Sequence, residues 1–220
     1  MGPSPVNGKL LPIFLGLIFV IPLGFGTARM VEIMVAGQFA LAFVSDYVDR
    51  VPLLLHIFGS LAFLVLGALQ VLPGTRARFP RFHRRSGRVI APLGVLGAVA
   101  GIWMTLMHPD ISSPLLYWGR LISSSFWAVA IIIGLRAMRQ RNFVRHGEWM
   151  TRAYLISLPA ATLSLILLPM VLILGEEGHD MLFEATQVAA WPLHLAFAEW
   201  IIQKRRNSNL AGRTLTPKIV

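Results

Sequence analysis

"RARFPRFHRRSGR" (Arg76–Arg88) and "RQRNFVRHGEWMTR" (Arg139–Arg152) look like two copies of one design. Each opens Arg-x-Arg and sets a histidine seven residues after its first arginine, His83 in one and His146 in the other. Each then runs straight into a long apolar segment. Arginines crowded beside apolar runs act as topology signals, because cationic loops are retained on the cytoplasmic side of a membrane. These two stretches therefore read as cytoplasmic loops, and the remaining segments fall into order around them.

Of the 220 residues, 55% are hydrophobic and only 14% charged, too little polar surface for a soluble domain of this length. A helix crossing a bilayer needs roughly 20 predominantly apolar residues. The chain offers six such segments, at about Leu10–Thr27, Pro52–Leu72, Gly87–Met107, Leu115–Arg136, Met150–Leu174 and Glu184–Ile202. The first lacks the small-residue cleavage site of a removable signal peptide and is kept as a helix. The expected fold is all-α: one integral membrane bundle of six transmembrane helices over residues 1–206, then a polar cytoplasmic tail over 207–220. Ala28–Phe43, with Arg29 and Glu32 spaced to pair on one helical face, reads as a helix at the outer surface or an extension of the first span.

Charge placement orients the bundle. Arg76, Arg78, Arg81, Arg84, Arg85 and Arg88 lie between spans two and three. Arg139, Arg141 and Arg145 lie between spans four and five, and Lys204, Arg205 and Arg206 follow span six. The opposite connections, "MHPDISSP" and "GEEGHD", hold no lysine or arginine, so both termini are expected in the cytoplasm. The net charge of +10, distributed this way, points to the lipid bilayer and its anionic lipids as partners and not to nucleic acid. With no cysteine, the chain has no disulfide, thiolate zinc site or iron–sulfur cluster.

The matched copies suggest a duplicated helical hairpin, an arrangement that often sets a site between its halves. In the bland reading the arginines set topology and the histidines only cap helices. In the sharper one His83 and His146 are the metal ligands of a b-type haem, which takes two imidazoles from separate helices. Arg84, Arg88 and Arg152 are then the cations available to its propionates. A stripe of small residues (Gly87, Ala91, Gly94, Gly97, Ala98 and Gly101) would admit a macrocycle, or would serve helix packing alone. His56 heads a face with Gly59, Ser60, Phe63, Gly67 and Gln70. His194 shares a stripe with Glu184, Gln187, Trp191 and Ala198. His56 and His194 make a candidate outer pair of cofactor ligands, with His108 as the alternative partner, although His56 lies nearer the outer surface than His194. His179, with Glu176, Glu177 and Asp180, reads as a loop.

"LLLHIFGSLAFLVLGALQ", "FHRRSGRVI" and "RHGEWMTRAY" resemble the uncharacterised bacterial membrane proteins of domain-of-unknown-function family 2306 (DUF2306). The matching residues are His56, Gly59 and Gln70; His83, Arg84, Gly87 and Arg88; and Arg145, His146, Trp149, Met150 and Arg152. This resemblance implies a multi-pass protein of the bacterial inner membrane and carries no activity with it. More distantly, the chain is similar to six-helix di-haem b-type cytochromes and ferric-reductase-like domains, which set histidine pairs on alternate inner helices. His83 and His146, on spans three and five, suit one such pair. Span four has no histidine for a second and offers Tyr117, Arg120 and Ser123 to Ser125 instead.

The chain shows no nucleotide-binding glycine loop, nucleophile elbow or paired-carboxylate site. Its leading function is electron transfer through haem b, as a membrane oxidoreductase or carrier exchanging electrons with a quinone or another redox partner. A haem-free transporter or ligand-binding bundle, or an accessory subunit of a larger membrane complex, is the alternative.

Overall fold

The computed structural model describes residues 20–24, 26–28, 30–31, 33–34, 50–71, 74–109, 113–159, 161–163, 165 and 180–214, with side chains of the last helix from 184 to 208. Expectations for residues 10–19, Arg29, Glu32, 35–43, 166–174, Glu176, Glu177, His179 and 215–220 lie outside the described residues.

Every described element is a helix: α1 (Arg50–Val71), α2 (Thr75–Arg78), α3 (Pro80–Met107), α4 (Pro114–Arg139), α5 (Phe143–Ile156) and α6 (Asp180–Thr214). The described residues between 20 and 34 are helical as well. Local chemistry explains the starts. Pro80 and Pro114 stand at first helical positions, where the missing N–H costs nothing. Ser113 caps α4 by accepting from Leu116 N–H, and Asn142 caps α5 by accepting from Arg145 N–H.

Among the described residues, three helices, α1, α3 and α4, are long and apolar enough to cross a membrane. Their outward faces carry large apolar side chains, among them Val99, Ile122, Val129 and Ile132. Trp103 and Trp118 stand exposed near the ends of α3 and α4 that the charge pattern places outside, where indole rings favour a bilayer interface.

The expected third span begins earlier than Gly87, because the basic stretch before it is already helical from Pro80. The expected fifth span, from Met150 to Leu174, is not one uninterrupted helix. α5 stops at Ile156, and Ser157 and Leu158 bond back only three residues, to the Tyr154 and Leu155 carbonyls. Pro159 explains the break: it has no N–H to donate and disfavours helical backbone at the residue before it. Helical residues resume there, with Thr162 N–H bonded to the Leu158 carbonyl. At the other end of the chain, α6 extends to Thr214, so residues 207–214 of the expected tail are helical.

The core is built on α3. Cβ atoms placed on Gly94, Gly97 and Gly101 would strike α1 on one side and α4 on the other. Gly94 meets Phe63 and Ile131; Gly97 meets Gly59, Ser60 and Trp127; Gly101 meets His56 and Ser124. The face of α1 headed by His56 is thus the face that packs on α3. The backbones touch at Gly59, where a Cβ would sit 2.6 Å from the Leu93 carbonyl oxygen and 2.7 Å from Gly97 N. Further inward, Gly67 lies against the Tyr154 ring, and the Tyr154 hydroxyl donates to the Leu64 carbonyl, bringing α5 onto α1.

Gly59→Ala should push α1 off α3 and lower stability by about 1–3 kcal/mol, measured as thermal unfolding in detergent. Gly147→Ala, whose Cβ meets nothing within 4 Å, should leave stability unchanged or slightly raised.

Candidate functional site

The two copies in the sequence become two equivalent helix starts. His83 is the fourth residue of α3 and His146 the fourth of α5. Each donates its backbone N–H to the residue before its helix, His83 to the Phe79 carbonyl and His146 to that of Asn142, both at 3.0 Å. The imidazoles lie at the same end of the bundle and within electrostatic range of one another.

Their ring nitrogens differ. His146 Nδ1 is 2.8 Å from the Gly134 carbonyl oxygen on α4. A carbonyl only accepts, so Nδ1 carries the proton, and a neutral ring then has its lone pair on Nε2. His83 Nδ1 is buried with no hydrogen-bond partner among the described residues. Orphaned buried nitrogens are uncommon and ask for an explanation.

His56 repeats the His146 arrangement at the opposite end. Its Nδ1 lies 2.8 Å from the Gly97 carbonyl oxygen, tying α1 to α3. The same tautomer follows. His194 has both ring nitrogens engaged: Nδ1–H donates to the Ala190 carbonyl at 2.7 Å, and Nε2 accepts from the Thr162 hydroxyl at 3.0 Å. The structure shows no contact between His56 and His194. His108 Nε2, just past the end of α3, is buried without a partner among the described residues.

The arginines divide as well. Arg84 and Arg88 are exposed beside His83. Arg152 is engaged elsewhere, its Nε and Nη2 meeting the two Glu199 carboxylate oxygens at 2.5 and 2.9 Å while its guanidinium lies over the Trp149 ring. That fork pins α5 to α6. Two further ties run beside it: Arg205 donates to the Thr151 hydroxyl at 3.3 Å, and Arg206 donates to Glu148 at 2.6 Å. Nothing in the local sequence marks this clasp, because the partners are 47 to 58 residues apart.

A second polar group gathers at the end of the bundle that holds His56. Arg120 Nη2 reaches Gln187 Oε1 at 3.5 Å, and Ser113 N–H donates to Glu184 Oε1 at 3.1 Å. The polar stripe expected on span six therefore meets the polar start of span four. The glycine stripe of α3 is filled by side chains of α1 and α4 and leaves no slot for a macrocycle at Gly94, Gly97 or Gly101. Gly87 is different: a Cβ there would meet only Gln70 Oε1, at 3.5 Å. Among the described residues, no group of three or more His, Cys, Asp or Glu side chains is placed to hold a metal ion.

The profile described as predicted membrane protein (DUF2306) matches residues 53–202, most of the chain from α1 to α6, and the protein belongs to that family. No curated protein and no solved structure matches it.

The clasp makes one pH prediction. Arg206 beside Glu148 holds that carboxyl below its usual range, the hydrogen bond being the largest cause. A depressed folded-state pKa contributes stability above the unfolded value, and that contribution is lost as pH falls through the folded value. Glu148→Gln should therefore flatten part of the acid limb of a plot of melting temperature against pH, leaving a smaller drop between neutral and acid pH than in the wild type.

Proposed function

We propose that this member of the predicted membrane-protein family DUF2306 is a b-type-cytochrome-like electron carrier. It would sit in the bacterial inner membrane as a six-span bundle with both termini in the cytoplasm. The observation that carries the reading is the His83–His146 pair: two imidazoles on separate helices, at matched positions and at one end of the bundle.

The donor set fits a bis-imidazole haem. His146 has its Nδ1–H on a backbone carbonyl, the support that metal-ligating histidines commonly have, because it fixes the ring and raises the basicity of the other nitrogen. His83 has a buried nitrogen, Nδ1, that no group among the described residues satisfies. A Cβ on Gly87, one turn along α3 from His83, would meet only Gln70 Oε1, whereas the deeper glycines are packed shut. A haem held there supplies one-electron exchange between ferric and ferrous iron.

The protein's own groups have distinct tasks in this reading. The Gly134 carbonyl holds the His146 tautomer, and the exposed Arg84 and Arg88 offset anionic charge at the cytoplasmic surface. Arg152, neutralised by Glu199, instead holds α5 in place so that His146 keeps its height. His194, with both nitrogens satisfied, is a tie within the bundle, and His56 locks α1 to α3.

The test is a dithionite-reduced minus oxidised visible spectrum of detergent-purified protein expressed with haem supply. Sharp paired bands of a low-spin b-type haem are expected, lost in His83→Ala and in His146→Ala and kept in His194→Ala. A flat spectrum from folded wild-type protein removes the proposal. The Arg120–Gln187 contact in the outer half favours a second reading, a ligand-binding bundle.

A further inference from the structure

We propose that the outer half of the bundle contains a binding site for a small monocarboxylate, centred on the Arg120 guanidinium and flanked by Gln187 and His56. This site is independent of the haem reading and stands or falls separately.

Arg120 is the seventh residue of α4, so its Cα lies roughly 9 Å along the axis from Pro114. At that depth in a spanning helix a guanidinium is costly and needs acceptors. It has few. The Nη2–Gln187 contact is long, 3.5 Å, and Gln187 is neutral. Among the described residues no carboxylate lies within ion-pair distance of Arg120. Glu184 is within electrostatic reach, one turn from Gln187 on α6, but its Oε1 accepts from Ser113 N–H.

Arg152 provides the comparison within the same chain. It too is largely buried, and its planar fork is closed by both oxygens of Glu199. The fork of Arg120 is the same recognition element, and it meets no carboxylate among the described residues. A guanidinium matches a carboxylate through two parallel N–H···O bonds, and that match is what the site has left to offer.

The surroundings narrow the ligand. His56 lies within electrostatic range of Arg120 and has its Nδ1 proton committed to the Gly97 carbonyl, so the neutral ring adds no competing charge. Ser124 Oγ lies beside the His56 ring across Gly101, both within 3.1 Å of the same Cβ position, and supplies a hydroxyl on that side. Glu184, already negative near the site, disfavours a dianion. The complement is therefore a compact anion of single charge with a planar pair of oxygens.

The informative variant is Gln187→Glu, which keeps the side-chain shape and places a carboxylate where Arg120 already reaches. It should fold at least as well as the wild type, because it completes an ion pair. The probe is sodium acetate, titrated into full-length protein in detergent against sodium chloride at matched ionic strength, with melting temperature as readout. Wild type should show a saturable excess rise with acetate, about 4 °C at ten times the apparent Kd. Gln187→Glu should show none, and Arg120→Lys should bind at least tenfold more weakly. A wild type with no excess over chloride overturns the proposal, and so does an equal acetate response in Gln187→Glu.

Discussion

The close approach of α1 and α4 onto the glycine ladder of α3 sets the position of everything else described in this bundle. In lipid, two helices gain nothing by hiding apolar side chains, since hydrocarbon surrounds them in any case; they gain by close packing and by polar ties. Gly97 lets α1 come to backbone distance, at Gly59 and Ser60, with the Trp127 ring on the other side, while Gly94 takes the side chains of Phe63 and Ile131 and Gly101 those of His56 and Ser124. Because the backbones are so close, the Gly97 carbonyl can accept a second hydrogen bond, from His56, beyond its helical one. The same device recurs where Gly134 on α4 receives His146 from α5.

From that ladder the two polar ends follow. Fixing α1, α3 and α4 in rotation sets His56 and Arg120 at one end of the bundle, while α3 and α5 begin with His83 and His146 at the other. Phe63, Ile131, Tyr154 and Trp127 fill the intervening layer, with the Phe63 and Trp127 rings edge to face at 5.3 Å. Packed side chains thus separate the His83–His146 end of the bundle from the end that holds Arg120.

Much of this was legible along the chain. The apolar blocks that became α1, α3 and α4 follow from length and composition, and the helix-forming face of α1 from His56 to Gln70 is the face that packs. The equivalence of His83 and His146 was visible as spacing and proved to be equivalence of helix position. Other features left no local trace. Arg152 looked as available to an anion as Arg84 until α6 brought Glu199 against it. The glycine stripe on α3 reads the same whether a macrocycle or two helices fill it, and two helices fill its deeper part. The break at Ser157 was signalled by Pro159, a residue that an uninterrupted hydropathy count passes over.

The sequence by itself determined the membrane class, the existence of the helices and which of their ends carry the cations. These depend on local quantities: apolar length, the residues at each helix start and the density of arginine beside each span. Only the tertiary structure decided which polar group meets which. His56 finds Gly97, His146 finds Gly134 and Arg152 finds Glu199, while among the described residues His83 Nδ1 finds no partner and Arg120 no carboxylate. The physical reason is that each pairing depends on the rotation and axial shift of one helix against another. Those are set by packing at the glycine ladder, and no spacing within a single helix encodes them.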